Sequence, residues 1–175
     1  ILIAARRLGI IDQELRSLVK KYDDDYQFPG ITLDYMDLDK LRYRSLGQKV
    51  YRLVSMLKMR RKYNYRIPHG YTITPNAFEM PLMANQAHEK FLRVLMSNKD
   101  IQEKVDELKR IIGQLQIPQD IIEDVKEGYQ RNIKDKSKCV LRASSIMEHK
   151  LKGHIPSKGD ITLNNIGWGL KKLWQ

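Results

Sequence analysis

The sequence predicts an α+β fold in which several helices pack with a small mixed sheet. Apolar residues recur at helical spacing through most of the chain, and three short segments between them have the β-branched or alternating pattern of strands. The order along the chain is helices, a strand, helices, two strands and a helix, which is typical of a lobe with a small sheet. At 175 residues, 42% of them hydrophobic and 30% charged, the chain suffices for one domain or two small lobes with a real core.

The first predicted element is a helix over residues 4–21. Its apolar positions follow helical spacing and are Leu8, Ile11, Leu15, Leu18 and Val19. An acidic turn at residues 23–25 and the pair Pro29-Gly30 end it. Consecutive carboxylates rarely converge on one metal ion, so we interpret the acidic turn as solvated.

A second helix is predicted from Gln48 to about Arg61, after a loop or short strand that ends at Gly47. A basic patch follows its last turns and is formed by Lys58, Arg60, Arg61, Lys62 and Arg66. Two interpretations stay open. The cations balance the negative C-terminal end of the helix dipole, or they bind phosphates while the tyrosines of "RRKYNYR" stack on single-stranded RNA.

The middle of the chain is predicted to be a strand followed by helices. Residues 71–74 have strand character, and Thr74 is expected to cap a helix with Pro75 at its first position. Pro81 is expected to interrupt that helix after its first turn. Further helices are predicted over residues 88–95, over residues 101–115 and from Pro118 onwards.

The C-terminal part is predicted to contain two strands and a last helix. Residues 139–142 form a short buried strand that presents Arg142 at its end, and "DITLNNI", residues 160–166, forms the second strand. A helix follows over residues 167–174. An arginine at the end of a buried strand is expected to point at a ligand or to pair with an acid such as Glu148 or Asp160.

Composition limits the classes of protein and partner. The longest apolar run, residues 1–5, is too short to span a bilayer, and no signal peptide is visible. A single cysteine excludes an internal disulfide and fits a reducing compartment, so we expect an intracellular protein of the cytoplasm or an organelle matrix. The net charge of +11 favours a polyanionic partner such as nucleic acid or nucleotide, although solubility alone also explains a basic excess.

Four stretches resemble one family, the phosphoenolpyruvate synthases and pyruvate phosphate dikinases. "LGQKVYRLVSM", residues 46–56, is similar to the opening V-G-G-K-G-A-x-L-x-x-M of the family's first ATP-grasp lobe, and "NYRIPHGYTITPNAF", residues 64–78, to G-I-P-V-P-P-G-F-V-I-T-T-D-A-F. "CVLRASSIMEH", residues 139–149, resembles V-A-V-R-S-S-A-T-A-E-D, and "DITLNNI" resembles D-T-F-L-N-V. The resemblance implies an ATP-grasp-like nucleotide-binding lobe over residues 40–175, preceded by an N-terminal helical extension over residues 1–39. Glucan, water dikinases and rifampin phosphotransferases share this lobe, so the phosphoryl acceptor stays open.

The resemblance also implies a nucleotide site. Lys49 and Arg142 lie on the family's two phosphate-binding positions, and Glu148 on its acidic position. A lysine point charge and an arginine fork are suited to neutralising a polyphosphate. In this family a second lobe supplies the metal-binding carboxylates, so Mg²⁺ is not expected to bind to this lobe alone.

The chain departs from the family pattern where glycines would approach phosphate. Gln48 and Val50 replace glycines on either side of Lys49, and we expect their side chains to crowd the phosphates. His69 replaces a proline, "HIPS" at residues 154–157 lacks a glycine, and His149 replaces an aspartate. ATP binding is therefore expected to be weak or lost.

Two hypotheses for function follow. In the first, the chain is the ATP-binding lobe of a dikinase-like phosphotransferase and is incomplete for catalysis by itself. In the second, it is a non-catalytic descendant that serves as a structural subunit of a large assembly, with neighbouring subunits or RNA as partners. Lys49 and Arg142 favour the first hypothesis, whereas the lost glycines and the basic excess favour the second.

Overall fold

The computed structural model of the protein describes residues 30–35, 38, 47–64, 66–133, 138–144 and 157–174. These residues form six helices and four short strands. The predicted first helix, the acidic turn and Glu148 lie outside the described residues, as does the side chain of Arg61. No helix in the described part of the chain is long and apolar enough to cross a membrane.

The helices and strands alternate along the chain in the predicted manner. In chain order the elements are β1 (Thr32–Asp34), α1 (Gln48–Tyr63), β2 (Tyr71–Ile73), α2 (Asn76–Ala84), α3 (His88–Met96), α4 (Ile101–Gln114), α5 (Gln119–Asn132), β3 (Cys139–Arg142), β4 (Ser157–Ile161) and α6 (Ile166–Trp174). The α+β class is confirmed. The bounds of α3 and α4 differ from the predicted ones by a single residue at the C-terminal end.

The described strands form two separate antiparallel pairs, where the sequence analysis expected one small mixed sheet. In the first pair, Leu33 of β1 faces Thr72 of β2. In the second, Arg142 of β3 faces Ser157 of β4, and an irregularity in the register interrupts the ladder between Cys139 and Leu141. Strand β1 precedes residue 40, the predicted start of the lobe, so the first strand pair uses residues from the segment assigned to the extension.

Buried side chains gather in three clusters. The largest joins α2, α5, β4 and α6, with Val125 and Ile161 at its centre at 0% exposure. A second cluster attaches the start of α1 to β1 and contains Leu33, Leu38, Val50 and Val54. The third lies between α2, α3 and α4. The second cluster holds the first turns of α1 against β1.

Strand β3 is less buried than the sequence analysis predicted. Val140 is 53% exposed, whereas Cys139 and Leu141 pack against the largest cluster. Successive side chains of a strand point to opposite faces, and only one face of this two-stranded sheet is covered. The prediction of a fully buried strand is therefore wrong, and Arg142 lies on the same solvent-facing side as Val140.

Helix α2 continues through Pro81, contrary to expectation. Ala77, Pro81 and Leu82 are buried on one side of this helix, and their packing offsets the backbone hydrogen bond that a proline cannot donate. Thr74 does not cap the helix. Its side chain is buried, and its hydroxyl donates to the carbonyl oxygen of Gly30 at 2.7 Å.

The predicted second C-terminal strand is shorter and lies earlier in the chain. Strand β4 ends at Ile161, and residues 163–165 form a turn that leads into α6. The side chain of Asn165 organises this turn, because its Oδ1 accepts a hydrogen bond from the Thr162 N–H at 2.7 Å. Asparagine favours such local bonds over a strand ladder.

Candidate phosphate-binding site

Helix α1 begins at a glycine that no other residue replaces easily. Gly47 is the N-terminal cap, is buried, and has φ 90° and ψ 169°. Residues with a Cβ rarely adopt this conformation, so glycine permits the abrupt turn into the helix. The Gly47 carbonyl then accepts the hydrogen bond from the Tyr51 N–H at 3.0 Å. Of the glycines in the family motif, this chain retains Gly47, and Gly47 is the position at which the backbone requires a glycine.

Two hydrogen bonds join the first turn of α1 to the chain that leaves β3. The Lys49 ammonium donates to the carbonyl oxygen of Ala143 at 2.9 Å. The Val50 N–H donates to the Ser144 hydroxyl at 3.4 Å, which is a long bond. Residues separated by 94 positions in the sequence are brought together in this way.

Arg142 lies next to this junction and faces solvent. It is the last residue of β3, it directly precedes Ala143, and its side chain is exposed. Within the described part of the chain, the Arg142 guanidinium donates no hydrogen bond and forms no ion pair. Asp160, one of the two alternative partners, instead lies 3.1 Å from the Lys138 ammonium. The other, Glu148, lies outside the described residues.

The local electrostatics suit an anion. The first turn of α1 contains no acidic residue. The backbone N–H groups at a helix start and the positive end of the helix dipole attract negative charge. Here Lys49 lies in the first turn of α1, and Arg142 directly precedes Ala143, whose carbonyl accepts from Lys49. A phosphate group has the charge and the acceptor oxygens to bind such donors.

The Val50 side chain does not point toward the expected phosphate position. Its side chain is 7% exposed and packs with Leu33, Leu38 and Val54 in the core. Its side chain is therefore directed into the core, and the expected crowding of a phosphate by Val50 is not seen. The side chain of Gln48 lies outside the described residues.

Sequence reasoning missed the part that Ala143 and Ser144 play. The residue types at positions 143 and 144 give no sign of a contact with α1. The structure uses the Ala143 carbonyl and the Ser144 hydroxyl as partners of α1. A backbone acceptor leaves no side-chain signal in a sequence, so only the placement of β3 beside α1 reveals it.

Two other reactive groups near these strands are partly buried, and burial favours their neutral forms. Burial raises the pKa of the half-buried Cys139 thiol, which disfavours the nucleophilic thiolate. Burial also raises the pKa of Tyr71, whose hydroxyl donates to the Val125 carbonyl at 2.7 Å. Among the described residues, no group of three or more His, Cys, Asp or Glu side chains could hold a metal ion. The expectation about Mg²⁺ stays a prediction.

The basic patch lies at the other end of α1. Lys58, Arg60, Lys62 and Arg66 are all exposed. Lys62 lies thirteen positions after Lys49, which corresponds to about 20 Å along a helix axis. The patch is therefore distinct from the candidate phosphate-binding site.

Comparisons with known proteins give a family match for most of the chain. Residues 43–168 match the family described as pyruvate phosphate dikinase, AMP/ATP-binding domain. Comparisons with curated proteins and with solved structures gave no match.

Proposed function

Since the chain belongs to the family of pyruvate phosphate dikinase AMP/ATP-binding domains, we propose that it binds the phosphates of an adenine nucleotide between the start of α1 and the end of β3. Lys49 supplies an ammonium group from the first turn of α1, and Arg142 supplies a guanidinium group from β3. The helix start adds backbone donors and a favourable dipole. The function is that of an ATP-binding lobe, with a second lobe needed for phosphoryl transfer.

The observation that carries this proposal is the hydrogen bond from the Lys49 ammonium to the Ala143 carbonyl at 2.9 Å. It places the lysine beside the residue that follows Arg142, although the two elements are far apart in sequence. An exposed arginine with no partner among the described residues supports the same conclusion. A guanidinium group held at such a junction is available to a ligand.

The expected affinity is low. A phosphate that binds Lys49 must compete with the Ala143 carbonyl, and one that binds the Val50 N–H must displace the Ser144 hydroxyl. Each exchange reduces the net free energy of phosphate binding, because an existing hydrogen bond has to be broken. We therefore expect a Kd for ATP in the range of ~0.1–1 mM, equivalent to roughly −4 to −5.5 kcal/mol.

The test is nucleotide binding by the full chain and by two charge-neutral variants, Lys49→Gln and Arg142→Gln. Charge-assisted hydrogen bonds contribute about 1.5–3 kcal/mol each, so either variant should weaken ATP binding roughly tenfold or more. Isothermal titration with ATP, AMP and a non-nucleotide anion such as sulfate would measure this. ATP should bind more tightly than AMP, because it offers more phosphate charge.

Lys90→Gln and Arg93→Gln are matched controls, since both residues are exposed on α3 and each variant removes the same charge. They should leave ATP affinity unchanged. If they weaken binding as much as Lys49→Gln and Arg142→Gln do, the affinity reflects net charge and the proposed site is wrong. Equal affinity for sulfate and ATP would likewise contradict nucleotide binding.

A further inference from the structure

The positive charge of the chain is concentrated in one segment. Residues 40–78 contain ten of the 32 Lys and Arg residues and none of the 21 Asp and Glu residues. The other 136 residues therefore carry 22 basic and 21 acidic side chains and are close to neutral. Nearly the whole net charge of +11 belongs to α1 and the residues that flank it. Such asymmetry is typical of chains that bind a polyanion.

The C-terminal half of α1 presents these charges to solvent on several sides. Lys58, Arg60, Lys62 and Arg66 are exposed, and Met59 between them is 45% exposed. Tyr63 is 59% exposed, and the Lys62 ammonium lies 5.3 Å from the centre of its ring. We call these four cations together with Tyr63 the α1 basic surface. It combines phosphate-binding groups with an aromatic ring that a base can stack on.

The helix dipole explains only part of this arrangement. Its effect is limited to the last turn of a helix, which in α1 includes Arg60 and Lys62. Lys58 lies before that turn, and Arg66 lies beyond the end of the helix. The dipole also gives no reason for the absence of acidic residues from residue 40 to residue 78. A partner with many negative charges accounts for both features.

We propose that the α1 basic surface binds single-stranded nucleic acid, with the cations on phosphates and Tyr63 stacked on a base. An acidic protein is the competing partner. Protein surfaces normally intersperse both signs of charge, and a protein partner does not demand 39 residues without an acid. A phosphodiester chain does favour the absence of Asp and Glu, because each carboxylate would repel its phosphates. This inference does not depend on nucleotide binding at Lys49.

The first test separates the surface from the overall charge. Full-length chain is titrated with a fluorescein-labelled uridine dodecamer, and Kd is measured by anisotropy at several salt concentrations. The variant Lys58→Gln/Arg60→Gln/Arg66→Gln should bind ten- to a hundredfold more weakly at low salt. Since each neutralised phosphate contributes about −0.7 to the slope of log K against log salt for single strands, that slope should become shallower by about 2.

The matched control is Lys90→Gln/Arg93→Gln/Lys109→Gln. Its three residues are exposed on α3 and α4, and it has the same net charge as the test variant. It should keep the affinity and the salt slope of the parent chain. If the two triple variants weaken binding equally, the interaction is unspecific attraction to a basic protein and the proposal fails.

The second test isolates stacking. Tyr63→Ser should weaken binding of the dodecamer by about five- to a hundredfold, because stacking of a base on an aromatic ring contributes about 1–3 kcal/mol. Tyr63→Phe should restore it. Neither variant should change the binding of polyphosphate, which has charge but no bases. Unchanged dodecamer affinity for Tyr63→Ser would overturn the stacking role.

A third measurement decides between the two classes of partner. A polyglutamate peptide of equal charge should bind more weakly than the uridine dodecamer and should be insensitive to Tyr63→Ser. Tighter binding of polyglutamate that is lost in the α1 triple variant would assign the surface to an acidic protein and would overturn the proposal.

Discussion

At the scale of single residues, two positions of the motif around Lys49 behave differently: one keeps its glycine and the other has lost it. Gly47 has a positive φ that favours glycine, so its retention follows from the backbone. Val50 replaces a glycine without obstructing the start of α1, because its side chain is part of the core with Leu33 and Val54. The loss of a family glycine is therefore not by itself a loss of the phosphate site.

Restoring the glycine at position 50 should harm the protein. Removing the Val50 side chain costs about 0.8 kcal/mol for each buried CH₂ group, and glycine inside a helix costs a further ~1 kcal/mol relative to alanine. We expect Val50→Gly to lower the free energy of unfolding by roughly 3 kcal/mol and Val50→Ala by about 2 kcal/mol. Urea denaturation of both variants and the parent would measure these losses.

The same variants test the placement of Val50 against nucleotide. ATP affinity should not rise in Val50→Gly, since the valine side chain lies in the core. Tighter ATP binding combined with unchanged stability would show that Val50 obstructs the phosphates after all.

At the scale of secondary-structure elements, α5 holds the first strand pair. The Tyr71 hydroxyl of β2 donates to the Val125 carbonyl at 2.7 Å, and the Asn132 amide donates to the Asp34 carboxylate of β1 at 2.6 Å. Close approach of helix and strands depends on Gly128, which lies in α5 against the Tyr71 ring. The position of β1, and with it that of the cluster under α1, follows from this contact.

Gly128→Ala should destabilise the fold although alanine is the better helix former. A Cβ at residue 128 would lie 2.8 Å from the Tyr71 ring and 3.2 Å from the Thr32 side chain, and the Tyr71 ring is held by its hydrogen bond. Overpacking costs about 1–3 kcal/mol, which exceeds the gain of roughly 1 kcal/mol in helix propensity. Urea denaturation should give a clear net loss.

Gly167→Ala is the matched control in α6. A Cβ there would lie 3.5 Å from Ile122, an ordinary van der Waals contact. Its stability should stay the same or rise by up to ~1 kcal/mol. Equal effects of the two substitutions would mean that the close contact with Tyr71 does not limit packing at residue 128.

At the scale of the whole molecule, the two proposed binding regions share one helix. The start of α1 is hydrogen-bonded to the residues that follow β3 and carries the proposed phosphate site, whereas its end presents cations and Tyr63 to solvent. The core cluster of Leu33, Leu38, Val50 and Val54 anchors only the first half of the helix. The second half is consequently left accessible to a partner.

We expect that the chain by itself does not turn over ATP. Phosphoryl transfer needs metal ions on the β- and γ-oxygens, and the resemblance assigns the metal-binding carboxylates to the second lobe. A coupled assay on contaminant-free chain with Mg²⁺ should show no release of phosphate or AMP. Steady turnover that is abolished by Lys49→Ala would contradict this prediction.

Local patterns along the chain were enough to predict the α+β class, the family and the bounds of helices α3 and α4. Helices α3 and α4 follow from periodicity within each segment, because the spacing of apolar residues is a local property of the chain. The family motifs are local as well, and by resemblance they align Lys49 and Arg142 with the family's phosphate-binding positions.

Which segments meet depends on long-range packing and could not be predicted from local patterns. Strand β1 has three residues, too few for a periodic pattern, and it exists because β2 and α5 pack against it. The exposure of Val140 depends on which face of the sheet is covered, and the burial of Val50 depends on Leu33 and Leu38. The contact of Lys49 with Ala143 joins residues 94 positions apart through a backbone carbonyl. Such long-range contacts form only when the whole chain has folded, and no local pattern in the sequence encodes them.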